Sequence, residues 1–580
     1  MEQQILDSYR IWNEKTVDDA QLQAELAAIA TDENEIYDRF YRELEFGTGG
    51  LRGVIGAGSN RMNVYTVRKA TQGLANYLKA HHAAAAVAIS YDSRNKSVDF
   101  AKAAAENLAA NGIHAYIFPQ LEPTPVLSFA VRSLGCQAGI MVTASHNPAK
   151  YNGYKCYGAD GCQMTDADAG EVTDFIRRVD IFDDVKTVPY AAALADGAVT
   201  EIGNDMLEAY MQRVLAQQVN AGICNEVPLR VVYTPLNGTG NLPVREVLRR
   251  IGVAHVAVVP EQELPDGNFP TAPYPNPEIS EAYACALVLA MTEEPDILLA
   301  TDPDCDRVGI AVKNEDDYVL MSGNEVGCLL LHYILSCKAA AGTLPQNPVA
   351  VKTIVTSDLA ARIAEKYGCE MREVLTGFKY IGEQIGLLEQ AGHPERYLFG
   401  FEESYGYLAG TYVRDKDAVV ASMLICEMAA YYRRQGKTLL EVYAALCDEF
   451  GYYQQTQVNV QLEGAAGMKM MADMMENFRQ NRPVAFGGRK VIGFADYRAS
   501  FTEDYATGKR ETLTLPSSNV VAFKLEGGAG VIFRPSGTEP KIKAYLTATG
   551  QDADAAAALA EALAADAHAL LNAHDTNSYA

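Results

Sequence analysis

Cationic side chains are in deficit in this 580-residue chain: 49 Lys and Arg face 74 Asp and Glu, a formal net charge of −25. A surface of that sign repels a phosphate backbone, which excludes nucleic-acid tracking. A few Arg and Lys converging in one cleft can still hold a small anion. Long apolar runs are missing too. The most apolar one, Val326 to Leu335, is about half of the ~20 residues that a membrane span requires. The eleven cysteines are odd in number and contain no CxxC pair, which argues for free thiols in a reducing compartment. The opening residues, MEQQILDSYRIWNEK, are charged and mixed, unlike a signal peptide. A cytoplasmic protein is expected, with neither membrane nor nucleic acid among its partners.

What is present is a soluble, core-forming composition, 48% hydrophobic and 21% charged. The length exceeds the roughly 250–300 residues at which single cores stop growing, so several domains are expected. Residues Gln3 to Arg42 carry the apolar spacing of two amphipathic helices. Strand-like runs then recur in pairs separated by helical patterns. Val87-Ala-Ile-Ser ends in Tyr91-Asp-Ser-Arg94, and Gly139-Ile-Met-Val ends in Thr143-Ala-Ser-His-Asn-Pro148. Leu229-Arg-Val-Val leads to Tyr233, and Asp296-Ile-Leu-Leu-Ala leads to Thr301-Asp-Pro-Asp-Cys-Asp-Arg307. The third pair begins at Val349 and Tyr397, the latter ending in Gly400-Phe-Glu-Glu-Ser-Tyr-Gly406. This reads as an αβ unit used three times, each copy offering one polar loop from its second strand. After about Gln455 the pattern changes to a smaller α+β domain whose polar loop is Arg534-Pro-Ser-Gly-Thr538. The expected domains are 1–200, 201–320, 321–452 and 453–580.

The loops carry the chemistry. Asp302, Asp304 and Asp306 place three carboxylates in five residues, where each pair repels by about 3 kcal/mol at ~5 Å and an effective dielectric of ~20. A divalent cation relieves that repulsion, and hard oxygen ligands suit Mg²⁺. An EF-hand is excluded, since Arg307 stands where glycine is required and Lys313 where the closing glutamate belongs. Ser145 sits beyond the carboxyl end of a strand, where ligands of α/β sheets bind. It lacks the G-x-S-x-G elbow of a hydrolase. His146 follows it directly, a placement that more often turns a ring away from the serine than toward it, and is carried as a catalytic candidate. Activation by metal and cations therefore fits phosphoryl transfer better than a triad does. Lys155 is the nearest downstream cation. Phe46-Gly-Thr-Gly-Gly-Leu-Arg-Gly53 combines open amides with the fixed charge of Arg52, without the GK[ST] ending of a nucleotide loop. Arg534, Ser536, Gly537 and Thr538 form an anion cradle. Glu402 and Ser404 are suited to sugar hydroxyls, and Lys379 and Arg307 complete the binding candidates.

The ordered series FGTGGLRG, TASHNP, YNGYK, DPDCDR, TGFKYIG, GFEES and RPSGTEPK resembles the α-D-phosphohexomutase family over nearly the whole chain. TGFK and RDKDA (Arg414 to Ala418) place the likeness nearest the long phosphoglucomutase/phosphopentomutase branch. The resemblance implies an α/β fold: four domains around a central cleft, three of them related α/β units with mixed sheets, plus the smaller α+β one. It implies that Ser145 is phosphorylated and that Asp302, Asp304 and Asp306 hold Mg²⁺ together with it. Arg52 and Lys155 would flank the phosphoserine, Lys155 as an acid/base candidate. Glu402 and Ser404 would bind sugar hydroxyls, and the Arg534 loop the distal phosphate. Implied partners are small-molecule sugar phosphates, with the chain a monomer or homodimer. The implied activity is glucose 1- to 6-phosphate interconversion, with glucose 1,6-bisphosphate as intermediate and activator. Mannose- and pentose-phosphate mutases are alternatives, and a non-catalytic sugar-phosphate sensor is another. Bifunctional mannose/glucose mutases carry G-E-M-S-G-H in the sugar loop; here Glu402 is followed by Glu403, Ser404, Tyr405 and Gly406, which favours glucose.

Overall fold

The computed structural model describes residues 3–47, 49–462, 464–535 and 541–572. Two compact units emerge, one of Met1–Ser322, Ile381–Phe399 and Ser404–Gly436, the other of Gly323–Tyr380, Gly400–Glu403 and Lys437–Ala580. Among the described residues there are sheets of six, five, four and eight strands.

The first unit begins with three helices rather than the two expected: Gln3–Lys15, Ala20–Ala28 and Glu33–Phe40. The extra break has a local cause. Asp19 accepts from the Leu22 amide, and Asp32 from those of Asn34 and Glu35, so each aspartate caps a new helix start. Their apolar faces bury Trp12, Leu26 and Phe40, with Tyr65 and Phe182 against them.

The six strands that follow are β1 (Gly50–Val54), β2 (Ala86–Tyr91), β3 (His114–Ile117), β4 (Ala138–Val142), β5 (Tyr151–Gly158) and β6 (Val199–Glu201). Their order is β1-β5-β4-β2-β3-β6. β4, β2, β3 and β6 pair in parallel, whereas β5 runs antiparallel to both β4 and β1. All of β4 is buried, as its unbroken apolar run requires of a central strand. Gly139 lets helix Thr124–Ser133 close on it, because a Cβ there would lie 2.5 Å from Val131 Cγ2.

The second sheet repeats the plan with β7 (Arg230–Thr234), β8 (His255–Val258), β9 (Ile297–Thr301), β10 (Val308–Asn314) and β11 (Asp317–Met321), ordered β11-β10-β9-β7-β8. β7 is parallel to β8 and β9, and β10 returns antiparallel to β9. In both sheets the polar loop therefore joins a central parallel strand to an antiparallel neighbour. It is a strand-to-strand turn, and the sheets are mixed.

In the second unit β12 (Val349–Thr353) and β13 (Glu370–Val374) pair in parallel. Its eight-stranded sheet is antiparallel throughout and runs from Tyr452–Gln461 at one edge to Arg510–Thr512 at the other. Met471, Met474 and Phe478 of helix Gly464–Gln480 and Leu559, Leu563 and Leu571 of helix Ala553–Asn572 fill its core. This is the smaller α+β region. A further apolar cluster joins Ile354, Val355 and Leu375 to Tyr545 of this sheet and to Tyr497 and Val520 at the ends of two of its strands. Among the described residues, no helix is long and apolar enough to cross a membrane.

Candidate active site

The loop after β4 and the loop after β9 meet within the first unit. Ser145 is buried and held at φ +52°, a left-handed conformation that costs a non-glycine residue roughly 1 kcal/mol or more. Its amide donates to Thr143 Oγ1 at 2.8 Å, and its hydroxyl donates to Asp302 Oδ2 at 2.8 Å. His146 turns toward the serine, contrary to the expectation from adjacency: its Nδ1 lies 3.2 Å from Ser145 Oγ. Burial and then the charges of Arg307 and Arg52 hold that imidazole well below its ordinary pKa, hence neutral.

Asp302, Asp304 and Asp306 are fully buried, and one ligand oxygen from each lies within 4.8 Å of the others. At that spacing each charged pair would repel by about 3.5 kcal/mol at an effective dielectric of ~20. Burial and the two neighbouring carboxylates raise Asp302 well above the usual range. Burial would raise Asp304 as well, but the Lys155 ammonium, with hydrogen bonds from Asp302 and Thr124, outweighs it and keeps that carboxylate low. Lys155, on β5, donates to Asp304 Oδ2 at 2.9 Å and lies 3.7 Å from Asp306 Oδ2. Burial pulls the lysine down while these two aspartates more than restore it, so it stays protonated. Among the described residues, Asp304 Oδ1 and Asp306 Oδ1 are buried without a hydrogen-bond partner, and Arg307 Nε lies 3.7 Å from the latter. Converging hard oxygen atoms with unfilled hydrogen-bonding capacity are what a divalent cation requires, so these residues fit Mg²⁺.

Other elements lock the two loops together. Thr124, at the start of its helix, donates through its amide to Asp304 O and through Oγ1 to Asp304 Oδ2, both at 2.9 Å. Arg307 donates from its amide to Asp302 Oδ1 and from Nη1 to Glu278. Arg52 stands on β1 opposite Gly153 of β5. Thr48, beside it in the glycine-rich loop, lies outside the described residues.

Sequence reasoning missed Lys416, which it used only as part of a branch signature. Its Nζ lies 3.2 Å from Asp306 Oδ2 and 3.0 Å from Asp415 Oδ1, and Tyr157 donates to Asp415 Oδ2 at 2.7 Å. The clue was a lysine flanked by aspartates in RDKDA, a charge alternation suited to a buried network. Lys416→Met removes one partner of a buried pair, which costs about 3–5 kcal/mol. Thermal unfolding is expected to show a lower midpoint, partly recovered in saturating Mg²⁺ as the cation replaces the lost charge. An unchanged midpoint would mean that the pair contributes nothing.

The remaining candidates divide between the units. Ser404 belongs to the first and Glu402 to the second. Glu402 is buried and accepts from the Gly377 amide at 2.8 Å, next to Lys379, whose Nζ sits 5.2 Å from the Tyr380 ring centre. Arg534 is paired with Lys543 across two strands, and its charge acts on the buried Tyr545 side chain, which also lies in the field of Glu403 and Glu402. Ser536, Gly537 and Thr538 lie outside the described residues.

Comparison with known proteins places this arrangement. Family models for the phosphoglucomutase/phosphomannomutase α/β/α domains I, II and III match residues 43–181, 208–315 and 322–450. A phosphoglucomutase of Staphylococcus haemolyticus (strain JCSC1435) is 36% identical over 515 residues, covering 88% of this chain and 91% of its own. One from Staphylococcus aureus (strain MSSA476) is 36% identical over 512 residues, covering 88% and 90%. In fold, the chain is similar to the open form of the Paramecium phosphoprotein parafusin, a phosphoglucomutase, with TM-score 0.65, 18% identity and coverage of 92% and 95%. It is also similar to a phosphoglucomutase/phosphomannomutase family protein from Burkholderia thailandensis, with TM-score 0.64, 20% identity and coverage of 92% and 98%. The chain belongs to the phosphoglucomutase/phosphomannomutase family, and within these α-D-phosphohexomutases to the phosphoglucomutase branch.

Proposed function

We propose that this protein is a Mg²⁺-dependent phosphoglucomutase, interconverting glucose 1-phosphate and glucose 6-phosphate. The observation that carries the reading is the 2.8 Å bond from Ser145 Oγ to Asp302, at the rim of three convergent buried carboxylates. The name of relatives 36% identical over most of both chains supports the choice of reaction. Ser145 carries a phosphoryl group and passes it to a free hydroxyl of the bound monophosphate. The Ser145 Oγ–P bond breaks as the sugar O–P bond forms, and the hydroxyl proton ends on Ser145 Oγ. The bound glucose 1,6-bisphosphate turns end over end, and Ser145 then takes the other phosphate by the reverse step. Mg²⁺ would be held by Asp302, Asp304, Asp306 and the serine, where it offsets negative charge on the transferring group. Lys155, held protonated, gives a proton to the departing Ser145 Oγ and is recharged by the proton of the attacking hydroxyl, and His146, held neutral, orients the serine oxygen.

The four segments 1–200, 201–320, 321–452 and 453–580 are the proposed domains; each of the three matched family models falls inside one of the first three. Eleven unpaired cysteines support a reducing, cytoplasmic setting. Coupled assays across the 1-phosphates of glucose, mannose, glucosamine and ribose test the function. Glucose is expected to give the highest kcat/KM, and no turnover of glucose 1-phosphate would overturn the reading.

The distal phosphate needs its own grip. We assign it to Arg534, whose planar fork matches phosphate as lysine does not. Arg534→Ala should raise the KM for glucose 1-phosphate about 10- to 150-fold, the equivalent of roughly 1.5–3 kcal/mol. The slow loss of phosphate from Ser145 to water should be spared. KM and kcat both unmoved would mean that another residue holds this phosphate.

A further inference from the structure

Ser145 occupies a backbone conformation that serine does not favour, and one buried side chain accounts for its persistence. Arg94, from the turn after β2, has a fully buried side chain. Its Nη2 donates to the carbonyls of Ser145 and Asn147, the latter at 2.5 Å. Its Nη1 donates to those of Pro148 at 3.1 Å and Tyr151 at 3.2 Å. Its Nε lies 3.2 Å from Asp92 Oδ2, and the ring of Phe269 packs on the guanidinium, 5.1 Å from its centre. Four carbonyls of one seven-residue loop thus converge on one planar cation. The same Asp92 oxygen accepts from Thr143 Oγ1 at 2.6 Å, and Thr143 Oγ1 in turn accepts from the Ser145 amide. Arg94 therefore grips the loop from its carbonyls, while Asp92 and Thr143 hold the serine amide.

We propose that Arg94 is a positioning residue for phosphoryl transfer, fixing the left-handed backbone at Ser145 so that its hydroxyl faces the aspartate loop. The inference rests on Ser145 being the phosphate carrier. Neither Arg94 nor Asp92 needs to touch the substrate. The guanidinium is suited to the task because its donors diverge in a rigid plane. A lysine keeps the charge beside Asp92 but offers three donors on one rotating nitrogen, too few and too close together for four separated carbonyls.

The test is Arg94→Lys, assayed for turnover and for phosphorylation of Ser145 by glucose 1,6-bisphosphate, followed by intact mass. Thermal unfolding confirms that the variant is folded. Both kcat and the rate of serine phosphorylation are expected to fall about 100-fold, the cost of a reacting atom misplaced by ~1 Å. The KM for glucose 1-phosphate should stay near that of the parent, because the sugar and distal phosphate are held elsewhere. A folded Arg94→Lys protein with parental kcat and phosphorylation rate would overturn the inference. Where Arg94→Lys does not fold, Thr143→Val keeps the volume while deleting the acceptor for the Ser145 amide, and a roughly 10-fold fall in serine phosphorylation is expected. Parental rates in that variant would overturn the inference as well. A parent protein that takes up no phosphate at Ser145 would instead overturn the proposed function, and this inference with it.

Discussion

Ser145→Ala is expected to give a folded protein with no measurable conversion of glucose 1-phosphate. The change removes one hydroxyl and its bond to Asp302, a loss of about 1 kcal/mol to stability. Alanine meets the same left-handed backbone that serine already occupies, so little new strain is added. The catalytic loss is of another order. Without the oxygen there is no phosphoryl carrier, and deletion of a nucleophile typically lowers kcat by about 10⁴-fold or more. A coupled assay measures the loss, and intact mass should show phosphate on the parent and none on the variant. Turnover within ~10-fold of the parent would end the phosphoserine mechanism.

The second large effect concerns the metal. Excess chelator should abolish activity, and added Mg²⁺ should restore it. Asp304→Asn should lower kcat by roughly 100-fold, about 3 kcal/mol of lost charge stabilisation. The geometry makes the substitution harsher than loss of one charge. Asp304 Oδ2 already accepts from Thr124 and Lys155, and Oδ1 is the bare oxygen. An asparagine that keeps its carbonyl toward Thr124 turns its NH₂ to the place of Oδ1, where it cannot serve a hard cation. Metal titrations of parent and variant, read by activity and by thermal midpoint, separate the two effects. Full activity of the parent in excess chelator would exclude the metal reading.

Much of this site was legible in the chain. The apolar run of β4 and the polar turn behind it are local signals, as is the density of carboxylates after β9. The return of each loop as an antiparallel strand was not legible locally, since β5 and β10 pair through contacts that no short window encodes. The third N-terminal helix was written in Asp19 and Asp32, capping residues that apolar spacing alone passes over. Lys416 and Arg94 were illegible for a different reason. A lysine 110 positions beyond Asp306 and an arginine in a short turn acquire meaning only from the groups that tertiary structure sets around them. His146 shows the converse: adjacency argued against contact, and a left-handed serine put the ring beside the hydroxyl anyway.

The paired bonds from Thr124 to Asp304 have a consequence for the life of the chain before it is complete. The serine and the carboxylates are encoded on different sheets, so a ribosome-bound fragment that ends before the second sheet has the Ser145 loop, with His146 and Lys155, but not the carboxylates that face it. Domains fold as units during synthesis, the N-terminal ones first. The Ser145 hydroxyl can meet Asp302 only once the chain has been made past β9, so the site is assembled after the first sheet rather than with it.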